Sequence, residues 1–166
     1  MPEAWLRGPL VGVLPELMPA AHALVQASEE IGVATDLTPA QVWAKPGGAA
    51  SVGFHLRHLA ASTDRLLTYA RGEPLSAAQL RAIADEGRPG DPPAGAAALI
   101  AAARASLEAA LAALRSADLT RLDDARSVGR AALPTTVRGL LGHVAEHATR
   151  HAGQVVTTAR VVRGLG

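Results

Sequence analysis

Apolar residues recur every three or four positions in four long stretches of the chain, a spacing that predicts helices. From Pro15 to Gly32, Leu17, Ala21, Leu24, Val25 and Ile31 fall on one side of a first helix, and Gly32 is its stop. A second helix runs from Ala49 to Arg71. Its seam of Val52, Leu56, Leu59, Thr63, Leu66, Leu67 and Ala70 is of the kind that packs in bundles, and Gly72 follows it. The third, from Ala94 to Ser116, carries Ile100, Ala103, Leu107, Ala110 and Leu114. The fourth starts at Thr135, a predicted N-cap with Pro134 before it, and sets Val137, Leu141, Val144, Ala148, His151, Val155, Thr158 and Val162 on one face.

Between these lie weaker signals. Pro39 to Trp43 has room for one helical turn, and Ser76 can cap a short helix before the linker GRPGDPPAG. The connection DLTRLDDARSVGRAALP has room for a brief extended segment. No internal repeat is visible, and the length of 166 residues fits one domain, residues 1–166.

Composition sharpens this picture. Hydrophobic residues make up 49% of the chain but aromatic ones only 2%, so Leu, Val and Ala must fill the core, which suits closely packed helices. The formal net charge of +1 and the lack of basic clusters interleaved with aromatics argue against a nucleic-acid partner. The N-terminal stretch carries Glu3 and Arg7 and is broken by Pro9, Pro15 and Pro19, unlike a signal peptide. Arg104 and Glu108 interrupt the Ala-rich third helix, which argues against a membrane span. A soluble, cytoplasmic protein is the expectation. There is no cysteine, so thiolate ligands and a cysteine nucleophile are excluded. Any thiol chemistry requires a thiol brought by a co-substrate.

The candidate chemistry lies in histidines. In GHVAEHATRHAGQ, from Gly142 to Gln154, His143, His147 and His151 are four residues apart, and a helix advances ~100° per residue, so all three share one side. Imidazoles at this spacing suit Zn²⁺, Ni²⁺, Cu²⁺ or Fe²⁺, and a third ligand is needed from elsewhere. His151 falls near the centre of the apolar stripe and His147 at its edge; His143 and Gln154 lie further round, as weaker ligands or supporting partners. The second helix offers His55 and His58 on one flank of its seam, with His55 slightly the more inward by helical wheel. His22 has no histidine near it in sequence and reads as a partly buried or surface residue. Glu146 points ~100° away from His147 and reads as a solvated charge rather than a general base. Zinc-protease, serine-nucleophile and nucleotide-binding motifs are absent.

Two segments, AKPGGAASVGFHLRHLAASTDRLLTYARGE and GLLGHVAEHATRHAGQ, resemble those of the DinB-like superfamily of four-helix bundles, also called YfiT-like or damage-inducible. The likeness extends over nearly the whole chain. It implies an all-α four-helix bundle of up-down-down-up topology, with a long crossover between the second and third helices. It also implies one divalent ion, Ni²⁺ or Zn²⁺, held by one histidine of the second helix and two of the fourth. Carried over by position, these are His58, His147 and His151, with His55 and His143 as further candidates. The resemblance thus favours His58 where the wheel leans toward His55.

Characterised relatives include S-transferases that use bacillithiol or mycothiol, and homodimers are common among members. The implied function is a metal-dependent transferase joining a low-molecular-weight thiol to a small electrophile. The alternatives are a metal-dependent hydrolase and a metal-binding, stress-related protein without turnover. No catalytic residue beyond the ligands is singled out.

Overall fold

The computed structural model describes residues 2–165. The protein is mostly helical, as the periodicity predicts, and four long helices build it: α1 (Met18–Glu30), α3 (Val52–Arg71), α5 (Ala96–Arg115) and α6 (Val137–Gly164). Two short helices, α2 (Pro39–Trp43) and α4 (Ala77–Asp85), lie between them. In cross-section α6 packs on both α1 and α3, and α5 closes against α3 and α1. The predicted stripes face inward: Leu24, Leu56, Leu59, Ala103, Leu107, Val144, Ala148 and Val155 are fully buried.

The helix ends follow local chemistry. α3 begins at Val52 rather than Ala49, because the Ser51 hydroxyl accepts from the Phe54 amide at 3.1 Å and fixes the start there. Its last turn closes on Gly72, which takes a left-handed conformation at φ 80° that a side chain would strain. α1 begins at Met18, three residues beyond the expected Pro15, because Pro15–Leu17 forms a separate tight turn. α4 starts from Ser76 as expected, with a reciprocal cap between Ser76 and Gln79.

The cap of the last helix departs from expectation by one residue. Thr135 belongs to a strand, β2 (Leu133–Thr136), which pairs antiparallel with β1 (Ala125–Val128) and sets Thr135 opposite Arg126. Thr136 is therefore the cap, its hydroxyl accepting from the Gly139 amide at 3.0 Å. The brief extended segment expected in this connection is thus a hairpin that feeds directly into α6.

α5 is long and apolar enough by length and composition to cross a membrane, so Arg104 and Glu108 do not interrupt it sufficiently to exclude that on sequence grounds. In the fold its apolar stripe, Ile100, Ala103, Leu107, Ala110 and Leu114, is buried in the protein core. The Trp43 indole donates to the Ala94 carbonyl at 2.8 Å, tying α2 to the start of α5. Gly53 of α3 leaves the space in which that ring lies.

Candidate metal centre

Helices α3 and α6 run antiparallel, since His55 meets His151 while His58 meets His147. That pairing brings two histidines of each helix to one level of the core. His58, His147 and His151 each offer a nitrogen within 4.8 Å of the others. His58 Nε2 lies 2.9 Å from His147 Nε2, and the His147 and His151 ring centroids are 4.5 Å apart. The three histidines are positioned to form a metal site. A tetrahedral ion at ~2.1 Å from each nitrogen needs nitrogens ~3.4 Å apart, a spacing between the 2.9 Å of the His58–His147 pair and the 4.8 Å that bounds all three.

Burial sets the charge state of the cluster. The His151 imidazole is pushed down to about 3 by burial first, then by His147, His58, His55 and Arg150. His147 is pushed down to about 4, again by burial first and then by neighbouring cations and imidazoles. His55 is lowered for the same leading reason. These rings are neutral at neutral pH, the form that carries a lone pair for an ion.

Hydrogen bonds within the cluster leave one nitrogen over. The Nδ1 of His58 faces the Glu86 carboxylate at 2.7 Å and donates its proton there; with a single proton on the ring, Nε2 is an acceptor. The 2.9 Å approach then requires the proton of His147 on Nε2, and His147 Nδ1 is buried with no partner. Stranding such a group costs ~1–3 kcal/mol. An ion on the three rings would take the place of the His58–His147 hydrogen bond and leave His147 free to coordinate through either nitrogen, and an imidazole donor set suits Zn²⁺ or Ni²⁺.

A profile of the DinB superfamily matches residues 26–155, a span that contains all of α3, the crossover and the histidines of α6. The chain belongs to the DinB superfamily. No curated protein matches it.

In this DinB chain the remaining histidines separate clearly. His55 is buried and contacts His151, Nδ1 to Nδ1 at 3.1 Å, from behind the triad. The wheel therefore identified the more buried histidine of α3, while His58, half-buried, is the one that joins the triad. His143 is 45% exposed and bonds to Glu146 at 3.1 Å, flanking His147 with ring centroids 5.6 Å apart. Gln154 is exposed. Glu146 also pairs with Arg150 at 2.7 Å on the surface, as a solvated charge should. His22 is half-buried and contacts the Gly8 carbonyl at 2.9 Å, away from the site.

Sequence reasoning missed Glu86 and Arg65. Glu86 comes from the end of α4, 28 positions from His58, and is bound by the Arg65 guanidinium at 2.7 Å. The only signal for it was an acidic residue closing a short helix, just before Gly87. Phe54 completes the surroundings, stacked on the His58 ring at 5.4 Å between centroids and 14° between planes.

Proposed function

We propose that the chain holds one divalent ion, Ni²⁺ or Zn²⁺, on His58, His147 and His151, and acts as an S-transferase. Its substrates would be a low-molecular-weight thiol of the bacillithiol or mycothiol type and a small electrophile. The observation that carries this reading is the convergence of three imidazoles from α3 and α6 on one point. DinB membership and the absence of cysteine, which assigns the thiol to a co-substrate, support it further.

Three protein ligands leave coordination positions free for a small molecule. When bound, the ion supplies Lewis acidity that lowers the pKa of a thiol or water beside it. The chain's own residues have simpler tasks. His147 and His151 supply neutral nitrogens from the core, and His58 supplies one from the rim, where its side chain is 20% exposed and leaves an approach from solvent. In the reaction the thiol sulfur forms a bond to the electrophilic carbon. The leaving group departs with the electrons of its former bond, and the thiol proton is released to water.

The reading includes the up-down-down-up order of the long helices. The antiparallel pairing of α3 with α6 supports it, as does the cavity that Leu67 and Ala70 share with Ala113 and Ser116, which brings the C-terminal turns of α3 and α5 together. Residues 72–95 are long enough for the crossover that such an order requires.

The test is conjugation of a low-molecular-weight thiol to an activated aromatic halide, measured with and without added Zn²⁺ or Ni²⁺, beside hydrolysis of an activated ester. The proposal expects metal-dependent conjugation that is lost in His58→Ala. Metal-dependent ester hydrolysis without conjugation would point to a hydrolase instead, and no metal-dependent rate in either assay contradicts an enzymatic role.

A further inference from the structure

Glu86 is the one buried carboxylate among the described residues, and it lies in the crossover rather than in a long helix. Both of its oxygens are engaged. Oε2 accepts from His58 Nδ1 at 2.7 Å, and Oε1 accepts from Arg65 at 2.7 Å. Arg65 sits seven positions after His58 on α3, so the same helix supplies the imidazole and the cation that balances the carboxylate. A buried ion pair by itself is weak grounds for stability, because removing two charges from water offsets much of their attraction. The contact with His58 gives this one another role.

We propose that Glu86 is a positioning residue of the metal site: held by Arg65, its carboxylate keeps the proton of His58 on Nδ1 and turns Nε2 toward His147 and His151. The crossover is then part of the site and not only a connection. Carboxylates placed behind ligating histidines fix the tautomer and ring orientation and raise the basicity of the ligand, and their loss lowers metal affinity by ~10–100-fold. His151 receives its counterpart from His55. His58, at the rim, would otherwise be the ligand most free to turn.

Other contacts hold the crossover against α3 without Glu86. Arg57 donates to the carbonyls of Asp85, at 2.8 Å, and of Arg88, and Gln79 donates to Asp64 and Thr68, both at 2.7 Å. A Glu86→Gln variant therefore keeps the shape of the side chain and the docking of α4 while it loses the charge behind His58.

The inference rests on the metal reading above, and the experiment separates the two. The Kd for Zn²⁺ is measured by chelator competition on the full chain, wild type beside Glu86→Gln, Glu86→Ala and Gln79→Ala, with the melting temperature of each metal-free protein recorded. The imidazole ¹⁵N spectrum of the metal-free wild type and of Glu86→Ala reports the His58 tautomer. The expected result is a Kd raised by ~10-fold or more in both Glu86 variants, with saturation still at one ion per chain. Gln79→Ala, which loosens α4 but spares both contacts of Glu86, should keep the wild-type Kd. His58 should carry its proton on Nδ1 in the wild type and shift toward the other tautomer in Glu86→Ala. Tight binding in the wild type with the same Kd in Glu86→Gln and Glu86→Ala overturns the role of Glu86 and leaves the metal site standing. A wild type that binds no ion contradicts the metal reading, and this inference with it.

Discussion

His55 Nδ1 lies 3.1 Å from His151 Nδ1, so the most buried histidine of α3 braces the histidine at the centre of the α6 stripe from behind. One of the two nitrogens donates and the other accepts; with His151 as the donor, its Nε2 keeps the lone pair that an ion needs. A bracing residue and a ligand respond differently to removal. His55→Ala should still bind one ion per chain, with Kd raised by ~10-fold, whereas His58→Ala should lose the ion. Isothermal titration with Zn²⁺ distinguishes them, and equal behaviour of the two variants would contradict the division of roles.

His143 offers the contrast. Its imidazole is exposed and paired to Glu146, and no contact joins it to His58 or His151. His143→Ala is expected to keep both the stoichiometry and the Kd of the wild type. A tenfold loss of affinity in that titration would make it a ligand after all.

Acid should destabilise the metal-free protein through the cluster. Burial pushes His147 down to about 4 and His151 down to about 3, against an ordinary histidine value of 6.5. Between those values the unfolded chain binds protons that the folded chain refuses, so stability falls as the pH drops below about 6.5 and levels off near the folded values. Thermal melts of the metal-free wild type at pH 7 and pH 5 should show a lower melting temperature at pH 5. In His147→Ala/His151→Ala the difference should shrink, and an unchanged difference would place the acid sensitivity elsewhere.

Much of this arrangement was legible in the sequence, and what was not has a physical reason. The stripes around Leu56, Leu107 and Val144 predict their own burial because a helix repeats its core face every three or four residues. The wheel ranked His55 above His58 because it measures the angle to the seam. Membership in the triad depends instead on where α6 lies beside that flank, and the DinB resemblance supplied that information. Thr135 and Thr136 are equally good caps by chemistry, and only the pairing of Thr135 with Arg126 across the hairpin decides between them. Glu86 carries no periodic signal, since its role comes from a contact between the crossover and α3.

The contact between Gly53 and Trp43 makes a prediction about the fold alone. A Cβ at Gly53 would lie 2.8 Å from three atoms of the Trp43 ring. That ring is fixed by its bond to Ala94 and carries the Arg57 guanidinium 4.8 Å from its centroid. Alanine gains about 1 kcal/mol in helix propensity over glycine, but forcing a methyl into a filled space costs about 1–3 kcal/mol. With the ring held on both counts, Gly53→Ala should be a net loss of ~1 kcal/mol in urea unfolding. A gain in stability would mean that the indole moves freely.

Metal analysis of untagged protein tests the central claim most directly. After exposure to Zn²⁺ or Ni²⁺ and removal of the excess, the wild type should retain one ion per chain, and His151→Ala, which removes the ligand at the centre of the stripe, should retain none. No ion in the wild type, or an ion kept by His151→Ala, would contradict the assignment of His58, His147 and His151 as the site.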